Sequence, residues 1–400
     1  MISKIPYGRQ DITQADIDAV IEVLRSDFLT QGPQVPRFEE AVASYCGARH
    51  GVAVNSATSA LHIACLALGL GEGDWLWTTP ITFVASANCA LYCGAKVDFV
   101  DIDPRTYNLS VERLAEKLAV AEKEGKLPKI VVPVHFCGQP CDMAGIHALS
   151  RQYGFKIIED AAHAIGAKYR APALAGASDA PALEPIGNCR YSDITVFSFH
   201  PVKIITTGEG GMAVTNSTVL ADLMQRYRSH GITSEPSQMH PRPDDEIWNY
   251  QQIRLGHNYR MIDIEAALGL SQLGRVDYYV ARRHCVAERY DAALAELPLQ
   301  LPWQHPDGYS SYHLYPIRVL QRAKRTQREV YDALLEDLIV VNIHYIPVYR
   351  QPYYEAMGFA AGYCPEAESY YKETITLPLF PTLGEADQNR VIRFLERTLG

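Results

Sequence analysis

Positive charge is in short supply in this chain. It carries 37 lysines and arginines against 46 aspartates and glutamates, a formal charge of −9. That balance leaves no basic footprint, so nucleic acid is excluded as an expected partner. Phosphates of a small ligand must then be met locally, by helix N-termini and a few arginines. No run approaches the ~18 apolar residues of a membrane span, and Met1-Ile-Ser-Lys-Ile-Pro6 lacks the apolar centre of a signal peptide. The expectation is a cytoplasmic protein with no membrane partner. Closely paired cysteines are missing as well. Cys89-x-x-x-Cys93 and Cys137-Gly-Gln-Pro-Cys141 lack the two-residue spacing of zinc knuckles or thioredoxin-like pairs, so no metal is expected. The nine cysteines, scattered through apolar runs such as Leu61 to Leu68, read as reduced core or strand-end thiols. Internal repeats and low-complexity linkers are also absent.

What is present is an ordinary globular composition, 48% apolar and 21% charged over 400 residues. Ile17, Val20, Ile21 and Leu24 recur at helical spacing behind Thr13 and Asp16, which are placed like a capping box. Phe28 to Pro36 breaks that helix, and a second is predicted from about Phe38 to Tyr45. From Gly51 onward, short strand-like runs alternate with helical segments. They are Val52–Asn55, Trp75–Thr78, Val97–Val100, Ile130–Val134, Ile157-Ile158, Thr195–Phe197 and Met212–Val214. This pattern predicts an α/β fold whose large domain, residues 1–260, holds a seven-stranded, mostly parallel, doubly wound sheet. Beyond it a smaller C-terminal α+β domain, residues 261–400, is predicted. It would have helices over Ile262–Leu273, Tyr278–Leu297 and Gln327–Leu338, and strands over Tyr312–Val319 and Ile339–Ile343. Ala171 to Asn188 and Ser234 to Asp245 read as loops.

Four constellations carry chemistry. Asn55-Ser-Ala-Thr-Ser-Ala-Leu-His62 joins a strand to a helix start; its hydroxyls either cap the helix or leave backbone N–H groups open to a phosphate. Glu159-Asp160-Ala-Ala-His163 ends a buried strand, where a carboxylate without a partner costs several kcal/mol. Asp160 is there either as a helix cap or as the partner of a pyridinium nitrogen. Ser198-Phe-His-Pro-Val-Lys203 ends another strand and leads into Gly208-Glu-Gly-Gly211. Lys203 is either a solvated charge or an amine whose pKa is depressed by desolvation, as a nucleophile requires. A lysine and a carboxylate at the tips of neighbouring strands suit pyridoxal 5′-phosphate (PLP), the amine forming a Schiff base and the acid keeping the ring nitrogen protonated. Last, Gly256-His-Asn-Tyr-Arg260 precedes a helix, either as a surface loop or as a set of ligand contacts with Arg260 as a phosphate fork.

In this order the blocks resemble the DegT/DnrJ/EryC1/StrS family of sugar aminotransferases, PLP enzymes of fold type I. The matching segments are Phe28-Leu-Thr-Gln-Gly-Pro33, Asn55-Ser-Ala-Thr-Ser-Ala-Leu61, Thr79-Pro-Ile-Thr-Phe-Val-Ala85, Glu159-Asp-Ala-Ala-His163, Ser198-Phe-His-Pro-Val-Lys203 and Gly256-His-Asn-Tyr-Arg260. Ile343-His-Tyr-Ile-Pro-Val348 is similar to the branch of that family active in pseudaminic acid biosynthesis. The resemblance implies that Lys203 holds the cofactor and Asp160 pairs with its ring nitrogen. By the same token Phe83 and Ala162 flank the ring, Thr58, Ser59 and Ser198 bind phosphate, and His163 sits near the ring hydroxyl. It implies a homodimer with shared sites, Asn258 reaching the neighbouring subunit's cofactor and Tyr259 and Arg260 the nucleotide-sugar. The implied reaction moves an amino group from L-glutamate to C4 of a 4-keto-6-deoxy UDP-N-acetylhexosamine. The segment from Ala171 to Arg190 is longer than the family's usual connection. Three rivals read differently. A family dehydratase would carry histidine in place of Lys203, and a non-catalytic PLP-binding regulator would lack glutamate-dependent conversion of the cofactor. A nicotinamide enzyme would need a glycine-rich turn after its first strand, whereas Gly69-Leu-Gly-Glu-Gly73 follows a helix.

Overall fold

The computed structural model describes residues 3–170, 182–243, 245–246 and 250–400. Helix α1 (Gln14–Leu24) opens at Thr13, whose N–H donates to the Asp16 carboxylate at 2.8 Å. Helix α2 (Gln34–Cys46) begins ahead of the expected Phe38. Pro36 falls in its first turn, where a missing N–H breaks no hydrogen bond. Then β1 (His50–Val54), α3 (Ala57–Ala67), β2 (Trp75–Thr78), α4 (Ala85–Tyr92) and β3 (Lys96–Phe99) alternate. They are followed by α5 (Val111–Glu124), β4 (Ile130–Val132), α6 (Met143–Tyr153) and β5 (Lys156–Asp160). A hairpin of β6 (Lys168–Arg170) and β7 (Leu183–Pro185) precedes β8 (Ile194–Ser198), β9 (Gly211–Thr215) and α7 (Thr218–Arg228).

Seven strands make one sheet in the order β1-β9-β8-β5-β4-β2-β3. Only β9 runs against its neighbours β1 and β8; the remaining pairs are parallel. The strands β4, β8 and β9 are buried along their whole length. That follows from helices on both faces of the sheet. Val54, Ile158, Val196 and Ala213 face a core shared with α3 and α4. On the opposite face Phe197, Met212 and Val214 meet Phe38 and Val42 of α2, while Val131 and Ile157 meet Leu114 and Leu118 of α5.

A second, smaller sheet of Leu299–Gln300, Tyr315–Val319 and Thr374–Leu377 is antiparallel. Its core takes in Ile317, Ile375, Leu334, Val391 and, from the other end of the chain, Ile5. Helix α8 (Asp263–Leu273), expected to open the small domain, packs on α1 and α2 instead. The following α9 (Val276–Leu294) begins in the large core with Val276 and Val280 and ends in the small one with Tyr290 and Leu294. We propose that the division between the two units runs through α9 rather than at 260/261. Two other expectations need correcting. Ile339–Ile343 is not a strand, because only Ile339 and Asn342 make isolated bridges, to Ile5 and Thr376. Of the loop at 171–188, residues 171–181 lie outside the described residues. Its end forms β7, paired with β6, which in turn pairs with Gly308–Tyr309.

Asp16 ties the N-terminal helix to this frame. Its buried carboxylate accepts two bonds from Arg275 (2.7 and 2.6 Å) and one from Ser271 (2.6 Å). Replacing one side of such a pair strands the other. Asp16→Ala should therefore cost about 3 kcal/mol, read as a lower midpoint of chemical denaturation at unchanged cofactor content.

Candidate active site

The site starts from the register of β5 and β8. These neighbours run parallel with Asp160 beside Val196, and the Ala161 N–H closes onto the Val196 carbonyl at 2.8 Å. Side chains alternate across a strand, so Glu159 and Asp160 point to opposite faces. Glu159 is buried among Ser192, Thr195 and His135, whose Nε2 lies 2.8 Å away. His135 Nδ1 accepts the Cys141 N–H, which leaves Nε2 as the donor to Glu159. Glu159 is thus fully engaged in packing. Asp160, also buried, faces α4 and accepts from Ser86 Oγ at 2.6 Å and from the Ala162 N–H at 3.1 Å.

Lys203 sits at the tip of the loop that leaves β8. The Phe199 N–H donates to the Gly210 carbonyl and the Thr207 N–H to the Phe199 carbonyl, so the loop is pinned at its base. Loss of water around the part-buried amine pushes its pKa down to about 8, against the opposing pull of Asp160. The two expected chemical groups therefore meet within electrostatic reach.

The expected phosphate residues converge beside them. Ser198 pairs with Gly211 across β8 and β9, and Gly211 pairs with Val54 at the end of β1. A Cβ on Gly211 would lie 2.5 Å from the Ala57 backbone nitrogen. Only glycine lets β9 approach the start of α3 this closely. Ser56 caps α3, accepting the Ser59 N–H at 3.1 Å, while the Ser59 hydroxyl donates to Asn55 Oδ1 at 2.7 Å. Ser59 therefore spends its side-chain donor inside the turn. Thr58 lies half-buried within the first helical turn.

The segment from Gly256 to Arg260 runs alongside. Asn55 N–H donates to the Tyr259 carbonyl, and Val54 bridges Arg260. The Tyr259 hydroxyl lies 3.2 Å from His62 Nδ1, and its ring stacks on His257. Tyr259, expected as a substrate contact, is half-buried and makes these contacts within the single chain. Asn258 and Phe83 are exposed on the single chain. Ala162 is half-buried next to Asp160.

His163 is buried, with Nε2 3.4 Å from the Tyr345 hydroxyl and no hydrogen-bond partner on Nδ1. Its imidazole packs against His313, 4.4 Å between ring centroids. Burial, then Lys203 and His344, hold the His163 pKa well below the usual imidazole range. Ser86, His313, His344 and Tyr345 are members of this cluster that sequence reasoning assigned no role. Ser86 directly follows the segment Thr79–Ala85, and His344-Tyr345 lies within Ile343–Val348, so a signal was present for three of them.

Comparison with known proteins decides what this arrangement belongs to. The sequence profile described as the DegT/DnrJ/EryC1/StrS aminotransferase family matches residues 10–396. The chain belongs to that family. It is 38% identical to the Bacillus subtilis spore coat polysaccharide biosynthesis protein SpsC, over 97% of this chain and 95% of that one. It is 35% identical to the Campylobacter jejuni UDP-4-amino-4,6-dideoxy-N-acetyl-β-L-altrosamine transaminase, covering 99% and 96%. The fold superposes on Helicobacter pylori PseC, an aminotransferase of pseudaminic acid biosynthesis, with a TM-score of 0.87, 29% identity and 99% coverage of both chains. The protein is a PLP-dependent sugar aminotransferase of the fold-type-I class.

The residues present fit that cofactor. His163 offers a buried nitrogen lacking a protein partner, Asp160 a buried acid, and Gly211 the cradle at the α3 N-terminus. Among the described residues no group of histidine, cysteine and acid side chains is arranged for a metal, and no helix is long and apolar enough to cross a membrane. A lysine near pKa 8 is mostly neutral one unit above that value, where a solvent lysine is still charged. Attachment of PLP to cofactor-free enzyme should therefore speed up with pH and level off just above about 8. A stopped-flow absorbance series that kept rising toward pH 10.5 would contradict the depressed amine.

Proposed function

We propose that this aminotransferase takes its amino group from L-glutamate and delivers it to C4 of a UDP-4-keto-6-deoxy-N-acetylhexosamine. The product would be UDP-4-amino-4,6-dideoxy-N-acetyl-β-L-altrosamine. Support for the sugar comes from near-full-length similarity to the Campylobacter jejuni transaminase of that name and to PseC. The observation that carries the chemistry is the meeting of Lys203 and Asp160 at the ends of paired strands.

On this reading each residue of the site has its own role. When bound, PLP supplies an electron sink for the carbon that loses its proton. Lys203 holds the cofactor and, released from it, is the base that carries the proton at the donor Cα and at sugar C4. Its lowered pKa keeps the amine available for that work near neutral pH. Asp160, its carboxylate aligned by Ser86 and the Ala162 N–H, would hold the ring nitrogen. A charge-assisted bond of this kind contributes about 1.5–3 kcal/mol. His163, through its unpartnered Nδ1, would meet the ring hydroxyl, and Phe83 and Ala162 would flank the ring. Thr58, Ser198 and the α3 N-terminus receive the phosphate, aided by the helix dipole. Ser59 contributes by shaping the turn, since its hydroxyl is bonded to Asn55.

A homodimer completes the site on this reading. Phe83 is 60% exposed and Leu255 81%, with Phe28 and Leu29 also open. On this reading the partner subunit would cover these apolar side chains. Asn258 would reach the phosphate of the neighbouring subunit's cofactor, and Arg260 the diphosphate of the nucleotide-sugar. A second substrate reading rests on SpsC, the more similar of the two curated relatives at 38%, which is named for spore coat polysaccharide biosynthesis. It favours a different 4-keto nucleotide-sugar on the same machinery.

The deciding experiment offers a panel of 4-keto nucleotide-sugars with glutamate to the PLP-loaded enzyme. The UDP-N-acetyl substrate should be preferred at least tenfold in kcat/KM, a difference of about 1.4 kcal/mol in transition-state binding. Preference for a dTDP or GDP sugar would hand the case to the second reading. Initial rates should follow a ping-pong pattern. Lys203→Ala should remove both turnover and the visible absorption of the lysine-bound cofactor while Asp160 and the fold stay intact; persistence of either would overturn the assignment of the base.

A further inference from the structure

The turn that leads from β2 into α4 places two hydroxyls behind the acid of the site. Thr82 and Ser86 are buried, while Phe83 between them is open to solvent. Four residues apart, their side chains meet on one side of the turn, Oγ1 to Oγ at 2.8 Å. Ser86 Oγ reaches the Asp160 carboxylate at 2.6 Å. The turn is also held from outside, where the Val348 N–H donates to the Pro80 carbonyl at 2.9 Å. Asp160 is buried, and its carboxylate has two hydrogen-bond partners among the described residues, Ser86 Oγ and the Ala162 N–H. Neither is a cation, so the serine hydroxyl is half of what holds this acid.

We propose that Thr82 and Ser86 are positioning residues. They form a one-way hydroxyl relay, from Thr82 through Ser86, that holds the Asp160 carboxylate in one orientation and so keeps the cofactor's ring nitrogen protonated. The proposal rests on the reading of Asp160 as the partner of that nitrogen. The direction of the relay follows from counting protons. A carboxylate only accepts, so Ser86 donates to Asp160. That commits the single hydroxyl proton of Ser86 and denies it to the Phe83 carbonyl, 3.3 Å away. Toward Thr82 the Ser86 oxygen then accepts, and the Thr82 hydroxyl is the donor. Aligned hydrogen bonds polarise one another, which strengthens the one that ends on the acid. With one oxygen held by Ser86 and the other by the Ala162 N–H, the carboxylate is kept from turning about its bond to Cβ. Its oxygens keep lone pairs for a further donor.

Stability and chemistry separate in this arrangement. Removing Ser86 strands the Thr82 hydroxyl, which is buried and has no other hydrogen-bond partner among the described residues. A stranded buried hydroxyl is destabilising, whereas removing both members of such a pair is close to neutral. The donor to Asp160 is lost equally in either case. A role in packing alone would therefore track the stranded hydroxyl, and a role toward the cofactor would track Ser86.

The test loads wild type and variants with PLP carrying an NMR-active isotope at its ring nitrogen. In Ser86→Ala that resonance should move from the protonated toward the neutral position. Turnover should fall about tenfold, as for loss of a hydrogen bond to a charged group. Thr82→Val, which keeps the side-chain shape, should move the resonance the same way by less and lower turnover about threefold. The double variant should match Ser86→Ala in resonance and turnover, yet unfold at a higher denaturant concentration than Ser86→Ala because no hydroxyl is stranded. A wild-type resonance in Ser86→Ala would overturn the relay. So would a double variant whose two losses multiply, since that is how independent residues behave. Asp160→Asn tells this failure from failure of the site itself. If it moves the resonance and Ser86→Ala does not, the relay alone is wrong. If it leaves the resonance in place, the pairing of acid and ring nitrogen is wrong.

Discussion

One register decides this molecule: β5 against β8, with Asp160 level with Val196. Because the two strands run parallel, their C-terminal ends open on the same edge of the sheet, where ligands of open α/β folds bind. The acid arrives there on the last residue of one strand. The amine arrives five residues beyond the end of the other, on a loop whose base is tied by the Phe199–Gly210 and Thr207–Phe199 bonds. A slip of one residue in β5 would exchange Glu159 for Asp160 and turn the wrong acid toward α4. The buried partners of Glu159 work against that slip. His135, Ser192 and Thr195 would lose their anion, and an unpaired buried carboxylate costs several kcal/mol.

The antiparallel strand β9 extends the same logic to the phosphate end. By inserting between β1 and β8 it brings Gly211 level with both Val54 and Ser198. A residue with a side chain there would push α3 away from the sheet, so the glycine and the helix N-terminus form one device. The contact of Asn55 with Tyr259 then fastens the 256–260 segment to the same corner. Three stretches far apart in sequence are therefore held together by backbone pairing more than by their functional side chains.

Much of this was legible beforehand. All seven strands of the large sheet were marked by short, mostly apolar runs, as expected of a sheet covered on both faces. Lys203 and Asp160 stood out because strand-end polar residues after such runs demand a reason. The small unit was read less well. Ile339–Ile343 has strand-like composition but bridges only at two points, Ile339 to Ile5 and Asn342 to Thr376. Its N-terminal contributor Ile5 had no local signal at all. The surroundings of Tyr259 were hidden for a related reason. A tyrosine beside an arginine in a polar loop resembles a ligand contact, and only the fold brings His62 to its hydroxyl.

The electrostatics of the site then have a simple internal consistency. His163, His344 and Lys203 are each driven toward their neutral forms by burial, and Lys203 adds to the shift on both histidines. Each positive charge would raise the cost of the next in so little water. Asp160 opposes this only for the lysine. The imidazole of His163 is thus driven toward its neutral form, with one nitrogen near Tyr345 and the other lacking a protein partner. Burial and geometry thus set the lysine apart from the two histidines, and Asp160 on β5 is the acid that faces it.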